Sequence, residues 1–281
     1  MDIFKVIFIS IVQGITEFLP ISSSGHILLL KKLLNLELDT TFDIFIHMGT
    51  LLAVLIIYRN EIFELISGIF NKNIKTIHIG NDLSRKEILK IWNLLILATI
   101  PAGISGIFLD KYLDFSPSET KPFYFLLLAI CFLITSLFLL STLLIKNKKD
   151  QNISQISFFN AIIIGLFQSI AVLPGISRSG TTITGSLHVG LNKKSSAKFS
   201  FLLSIPIISA AFLLKIIKLI ETNKFSDINN ISLLLIGLLS AFIAGYFSLK
   251  ILIKIIEKGK FWIFSIYLII PITISIYLWL F

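Results

Sequence analysis

Two short stretches of this chain carry the side chains that could do chemistry. Residues 13–26 read QGITEFLPISSSGH, and residues 168–182 read QSIAVLPGISRSGTT. The first holds one carboxylate, Glu17, three consecutive hydroxyls, Ser22, Ser23 and Ser24, and a histidine, His26. The second places a guanidinium, Arg178, among Ser177, Ser179, Thr181 and Thr182. A serine-rich turn that opens a helix offers backbone N–H groups and hydroxyls to an anion. The planar fork of an arginine clamps phosphate or carboxylate. A histidine moves protons near neutral pH. Together these are the parts of phosphoryl chemistry: Arg178 and the serines meet charge, and His26 and Glu17 handle protons. Ser23 either attacks or positions a water. Gln13 stands four residues before Glu17 on the same helix face, so both reach one cavity. His26 opens the helix after the serines and is expected on the cavity side.

Both stretches interrupt very apolar sequence. Of 281 residues 55% are hydrophobic and 15% charged, and the mean hydropathy is +0.91. A soluble domain carries roughly a quarter charged residues. Several runs reach the ~20 apolar residues that cross hydrocarbon, so the fold class is an all-α polytopic membrane protein. A carboxylate at the bilayer centre costs about 2.5–3.5 kcal/mol, so Glu17 there needs a reason. The plain alternative is an ion pair that only ties helices together. The net charge of +9 fits Lys and Arg gathered in cytoplasmic loops rather than a nucleic-acid surface. The single cysteine, Cys131, lies in an apolar run and can form no intrachain disulfide. The start MDIFK has no basic n-region, so no cleavable signal peptide is expected.

Residues 2–19 end at Pro20, and a short amphipathic piece runs from His26 to Leu36. Neither spans a membrane alone, so together they read as a hairpin that enters the bilayer and turns back. Full spans are expected over about 41–58, 88–109 and 122–145, with an amphipathic surface helix over 61–70 and a kink at Pro101. The pattern then restarts, with a second hairpin over 157–192 and spans over about 197–219, 231–253 and 261–281. Gln13 and Gln168 each lie 12 residues before a loop glycine, Gly25 and Gly180, and both copies read Leu-Pro and then Ser-x-Ser-Gly. A hairpin plus three spans per copy inverts the second copy in the membrane. The chain is expected to be one integral membrane domain, 1–281, with repeat 1 over 1–150 and repeat 2 over 151–281. With both termini outside, the inward links hold 16 of the 25 Lys and Arg and the outward regions 8. Asp43 and His47 share a face of the first full span and meet either a cavity or a neighbouring helix, while His188 reads as structural.

No Walker loop, nucleotide glycine pattern, Cys/His metal spacing or HExxH occurs, so no organic cofactor is expected. SSSGH is superficially like a box of acid-phosphatase-type lipid phosphatases. That family's arginine box needs a histidine seven residues after its serine, and none stands there. QGITEFLPISSSGH and PGISRSGTT resemble instead the two motifs of the undecaprenyl-diphosphate phosphatase family, the bacitracin-resistance BacA/UppP group. The resemblance runs end to end, including FDIFIHMGTLLAV and FSFLLSIP. It implies hydrolysis of the terminal phosphate of undecaprenyl diphosphate, a polyprenyl lipid, for recycling of the peptidoglycan carrier in the bacterial inner membrane. Carried over by position, it makes Gln13, Glu17, Ser23, His26 and Arg178 the catalytic set, supported by Ser22, Ser177 and Thr182. Ser24 and Ser179 join the binding residues. Gln13 stands where many members have glutamate, which leaves Glu17 as the one carboxylate for a divalent cation, Mg2+ or Ca2+. A homodimer is an assembly open to such a chain. The competing class is an inverted-repeat transporter or lipid flippase, for which a histidine beside Ser23 and Glu17 has no use.

Overall fold

The computed structural model describes residues 3–36, 40–71, 76–80, 82–112, 122–145, 150–221 and 231–281. Among these the regular structure is helical, apart from an isolated bridge between Gln151 and Leu191. The first half contains α1 (Ile3–Phe18), α2 (Ser23–Leu33), α3 (Thr40–Ile57), α4 (Arg59–Phe70), α5 (Arg85–Tyr112) and α6 (Pro122–Ser141). The second contains α7 (Phe158–Ile170), α8 (Arg178–His188), α9 (Lys193–Glu221), α10 (Ile231–Glu257), α11 (Ile263–Tyr267) and α12 (Ile269–Leu280). Among the described residues five segments are long and apolar enough to cross a membrane: Arg85–Leu109, Pro122–Leu144, Lys193–Leu214, Ile231–Glu257 and Ile263–Leu280. The chain is a multi-pass membrane protein.

The expected span over 41–58 does not stand alone. It qualifies only together with α4, from which it is bent by 72°. Pro101 and Pro206 stay inside α5 and α9. The break between α11 and α12 falls at Leu268, just before Pro271, whose ring clashes with the carbonyl four residues back. The expected surface helix over 61–70 forms as α4 but is not wholly a surface element. Glu64 is buried, and its carboxylate accepts the backbone N–H groups of Ile77, His78 and Ile79 at 2.8–3.1 Å.

Phe18, Phe132, Phe199 and Phe201 are fully buried, whereas Phe8, Ile96, Ile104, Leu137, Phe247 and Ile270 are exposed, the apolar exterior a bilayer requires. The two short helices that lead into the loops are gripped alike. α1 packs on α10 and α7 on α5. A methyl at Gly14 would fall 2.6 Å from the Ala241 carbonyl oxygen, and one at Gly165 would fall 2.7 Å from that of Ala98. Both contacts are backbone against backbone, so each loop is set at a fixed height against a long span.

Candidate active site

α1 stops at Phe18, two residues before Pro20, which disfavours helical geometry in the residue preceding it. The chain restarts at Ser23 with Ser22 as N-cap, its Oγ accepting from the Gly25 N–H at 3.4 Å. Ser22 has φ 68°, a left-handed conformation that costs a non-glycine residue on the order of 1–3 kcal/mol. Three contacts hold it there. Its carbonyl accepts from the His26 backbone N–H at 3.2 Å and from His26 Nδ1–H at 2.8 Å. Its Oγ accepts from the Gly175 N–H of the second loop at 3.1 Å.

The second loop repeats the capping without the strain. Ser177 caps α8, accepting from the Gly180 N–H at 3.1 Å, with φ −79°. The left-handed residue here is Gly175, φ 93°, and a methyl on it would lie 2.7 Å from Cys131 Cβ. The Thr135 hydroxyl on α6 donates to the Gly175 carbonyl at 3.0 Å and accepts from the Ser177 N–H at 3.1 Å.

Glu17 is where the two loops meet. Its Oε1 accepts from Arg178 Nη2 at 3.2 Å, in a pair whose side chains are 15% and 10% exposed. Its Oε2 accepts from the Ser23 hydroxyl at 2.6 Å and from Gln13 Nε2 at 3.0 Å. Three atoms around this centre are buried without a partner: Arg178 Nη1, Gln13 Oε1 and Gln168 Oε1. An unsatisfied buried donor costs about 1–3 kcal/mol, more for a charged group. A guanidinium left in that state beside a cavity is ready to donate to an oxyanion.

The cavity is about 400 Å³, within the usual range for small-ligand sites. Glu17, Ser22, Ser23, Ser24, Ser177 and Arg178 line it, and its remaining wall is largely apolar: Ile44, Ala102, Gly103, Ile176, Ile207 and Ile208. Of the other expected residues, Gln13 is fully buried behind Glu17. Ser179 sits under the loop, its hydroxyl donating to the Leu19 carbonyl at 3.4 Å. Thr182 donates to the Arg178 carbonyl at 2.8 Å and bonds the Ser200 hydroxyl at 2.5 Å, so it supports the arginine from behind.

His26 is not on the cavity side. Its ring stacks on Tyr267, with centroids 5.7 Å apart, and meets the edge of Phe132 at 5.6 Å. Its Nε2 bonds the Tyr267 hydroxyl at 3.0 Å. The cause lies in α2. A methyl at Gly25 would fall 2.5 Å from the Phe132 ring, so α2 is pressed on α6 at that point and His26 goes with the pressed face.

Two side chains join the wall that the motifs do not assign to it. Gln168 is one, and its equivalence to Gln13 in the repeat is the clue that points to it. His47 on α3 is the other, and its polar face on an apolar helix is the clue. His188, read as structural, bonds the Ser141 hydroxyl at 2.9 Å.

Among the described residues no three His, Cys, Asp or Glu side chains gather around a common point. Glu17, whose oxygens already accept from Arg178, Ser23 and Gln13, is the carboxylate on the cavity wall that could hold a divalent cation, whose other oxygens would come from a phosphate and water.

A sequence profile of the family Bacitracin resistance protein BacA matches residues 6–273. The chain is 40% identical over 281 residues to an undecaprenyl-diphosphatase of Treponema denticola, covering 99% of this chain and 98% of that protein. It is 38% identical over 268 residues to one of Halothermothrix orenii, covering 95% and 94%. With one of Borrelia recurrentis it shares 37% over 277 residues, covering 99% of each. A match of this extent, over a chain whose two motifs converge on one cavity, means that the protein belongs to the bacitracin resistance protein BacA family.

Proposed function

We propose that this chain is an undecaprenyl-diphosphate phosphatase. It removes the terminal phosphate of undecaprenyl diphosphate and returns undecaprenyl phosphate for peptidoglycan synthesis, and it confers bacitracin resistance by that route. One observation carries the reading: the unpartnered Arg178 Nη1 shares a cavity with a serine hydroxyl held 2.6 Å from a carboxylate.

The chemistry follows from that pair. Nucleophile and base lie within hydrogen-bond reach, as covalent catalysis requires. Ser23 Oγ attacks the terminal phosphorus and its proton passes to Glu17. The bond from phosphorus to the bridging oxygen breaks, and undecaprenyl phosphate leaves. Arg178 Nη1 and the helix N-termini of α2 and α8 meet the charge on the phosphoryl oxygens. Water then releases phosphate from Ser23. Gln13 orients Glu17, and Ser22, Ser24, Ser177 and Ser179 shape the two turns. Thr182 braces Arg178. His26 holds the Ser22 carbonyl and thereby the strained turn that presents Ser23. A divalent cation held by Glu17 would add charge neutralisation at the diphosphate.

The prenyl chain has an exit. Gly103 lines both the cavity between the loops and a second, apolar cavity of about 460 Å³ walled by Leu65, Trp92, Ile96, Ile100, Leu202 and Pro206. Nothing lies within 4 Å of where a Gly103 side chain would start.

The architecture proposed is one domain of two inverted repeats, 1–150 and 151–281, each a re-entrant hairpin plus spans. The matched 11-residue helices α2 and α8, the matched caps at Ser22 and Ser177, and the reciprocal packing of α1 on α10 and α7 on α5 support it. The excess of Lys and Arg in the inward links supports termini on the outer face of the cytoplasmic membrane.

The test is phosphate release from undecaprenyl diphosphate by detergent-solubilised protein, where no gradient exists, with and without chelator. Release by wild-type protein and its loss in Ser23→Ala are expected, with a slower rate under chelator. Lipid binding without phosphate release would contradict the reading.

A further inference from the structure

The phosphoserine step needs a base to take the proton of the incoming water, and Glu17 already carries the proton of Ser23. The two histidines near the loops differ in what they have left to offer. His26 donates Nδ1–H to the Ser22 carbonyl, so its lone pair is on Nε2, and the Tyr267 hydroxyl occupies it. His47 donates Nδ1–H to the Asp43 carbonyl at 2.8 Å, with Asp43 Oδ1 3.5 Å away. That fixes the tautomer and leaves the lone pair on Nε2, for which no partner exists among the described residues. His47 lines the cavity beside Glu17, Ser23 and Arg178, and His26 does not. No hydrogen bond joins His47 to Glu17 or Gln13. Among the described residues the charged groups facing it are Asp43 one turn back on α3, Glu17 from α1 and Arg178 from α8. α9 contributes Ile207 and Ile208 to the apolar wall of the same cavity.

We propose that His47 is a further catalytic residue, the base that activates the water which clears phosphate from Ser23. The proposal rests on the phosphatase reading above. Water adds its oxygen to phosphorus and gives a proton to His47 Nε2. The bond from phosphorus to Ser23 Oγ breaks, Glu17 returns its proton to that oxygen, and the departing phosphate carries away the proton held by His47. Asp43 is the positioning residue that holds the ring with Nε2 toward the cavity.

Undecaprenyl diphosphate labelled in its terminal phosphate separates the steps. In detergent, His47→Gln is expected to turn over on the order of 10²-fold more slowly than wild type. It releases about one undecaprenyl phosphate per chain in a burst, with label held on Ser23. His47→Ala is expected to lose turnover likewise and to regain part of it with added imidazole, which a misfolded variant could not do. His26→Gln is expected to slow without holding label. A His47→Gln variant within about threefold of the wild-type rate, or a slow one that holds no label, overturns the assignment. Wild-type protein that releases no phosphate at all overturns the phosphatase reading, and the assignment with it.

Discussion

The two loops are built on one plan and do different work. Each opens an 11-residue helix with a capping serine that accepts from a glycine N–H three residues on. In each, that serine also lies within hydrogen-bond distance of the serine two residues further, at 3.3 and 3.1 Å. The difference lies in backbone and charge. Ser22 sits at φ 68° where Ser177 is relaxed at −79°. In the proposed mechanism the first half carries the nucleophile Ser23 and, at the end of α1, the carboxylate of Glu17, and the second carries the cation. The strained serine is also the one that crosses between them, through the Gly175 N–H. Two turns with like caps thus meet in one site without being equivalent. One half holds reactive geometry that the other half enforces.

The strongest way to break that division is to remove the cation. Arg178→Ala is expected to lower kcat/KM for undecaprenyl diphosphate by about 10³–10⁵, the range in which arginine acts in phosphoryl transfer. Arg178→Lys is expected to recover only part of it, because a point charge cannot serve Glu17 and a phosphate oxygen together. Next comes the enforcing contact. Gly175→Ala must place a methyl against Cys131 at a left-handed φ. It is expected to cost about 1–3 kcal/mol in unfolding free energy and to lower turnover together with the thermal midpoint.

The asymmetry itself predicts unequal serines. Ser177→Ala loses a helix cap worth about 1 kcal/mol. Ser22→Ala loses the cap and the bridge to Gly175, so it is expected to lose roughly tenfold more turnover than its counterpart. A change in neither loop separates headgroup from tail. Gly103→Leu is expected to raise KM for the undecaprenyl substrate about tenfold while leaving kcat near wild type, and to spare a short-chain prenyl diphosphate.

The smallest effect lies far from both loops. Burial pushes the Glu64 carboxyl up, but the N–H groups of Ile77, His78 and Ile79 outweigh it and hold it below the usual carboxylate range. Its contribution is present above the unfolded value of about 4.3 and is lost as pH falls through the lower folded value. The wild-type thermal midpoint is expected to drop on acidification below about pH 4.3. Glu64→Gln is expected to start lower and to vary less across that window.

Much of the site is legible in the amino-acid sequence. Leu-Pro followed by Ser-x-Ser-Gly marks where a helix must stop and restart, and both restarts fall within a residue of Ser22 and Ser177. Glu17, Ser23 and Arg178 stand out because buried charge in an apolar chain is costly unless it is paired or used. The direction of His26 is not legible in that way. Which side of α2 faces the cavity is decided by its contact with α6 at Gly25 and Phe132, residues more than a hundred positions apart. His47 lies on a helix outside both motifs, and only the packing of α3 brings it to the wall. The proposed tail route is equally hidden, because Gly103 matters for what it leaves empty. The length of the span over 41–58 follows from hydropathy alone, which does not see the 72° bend beyond it.

The proposed mechanism makes the two loops a single reacting centre joined through Glu17 and Arg178, 3.2 Å apart. A double-mutant cycle on kcat/KM for undecaprenyl diphosphate, with Glu17→Gln and Arg178→Ala, tests it most directly. The double variant is expected to lose little more than the worse single variant, so that the coupling approaches the smaller of the two single losses. Losses that simply multiply, with coupling below about 0.5 kcal/mol, would mean that the loops act independently and would contradict it.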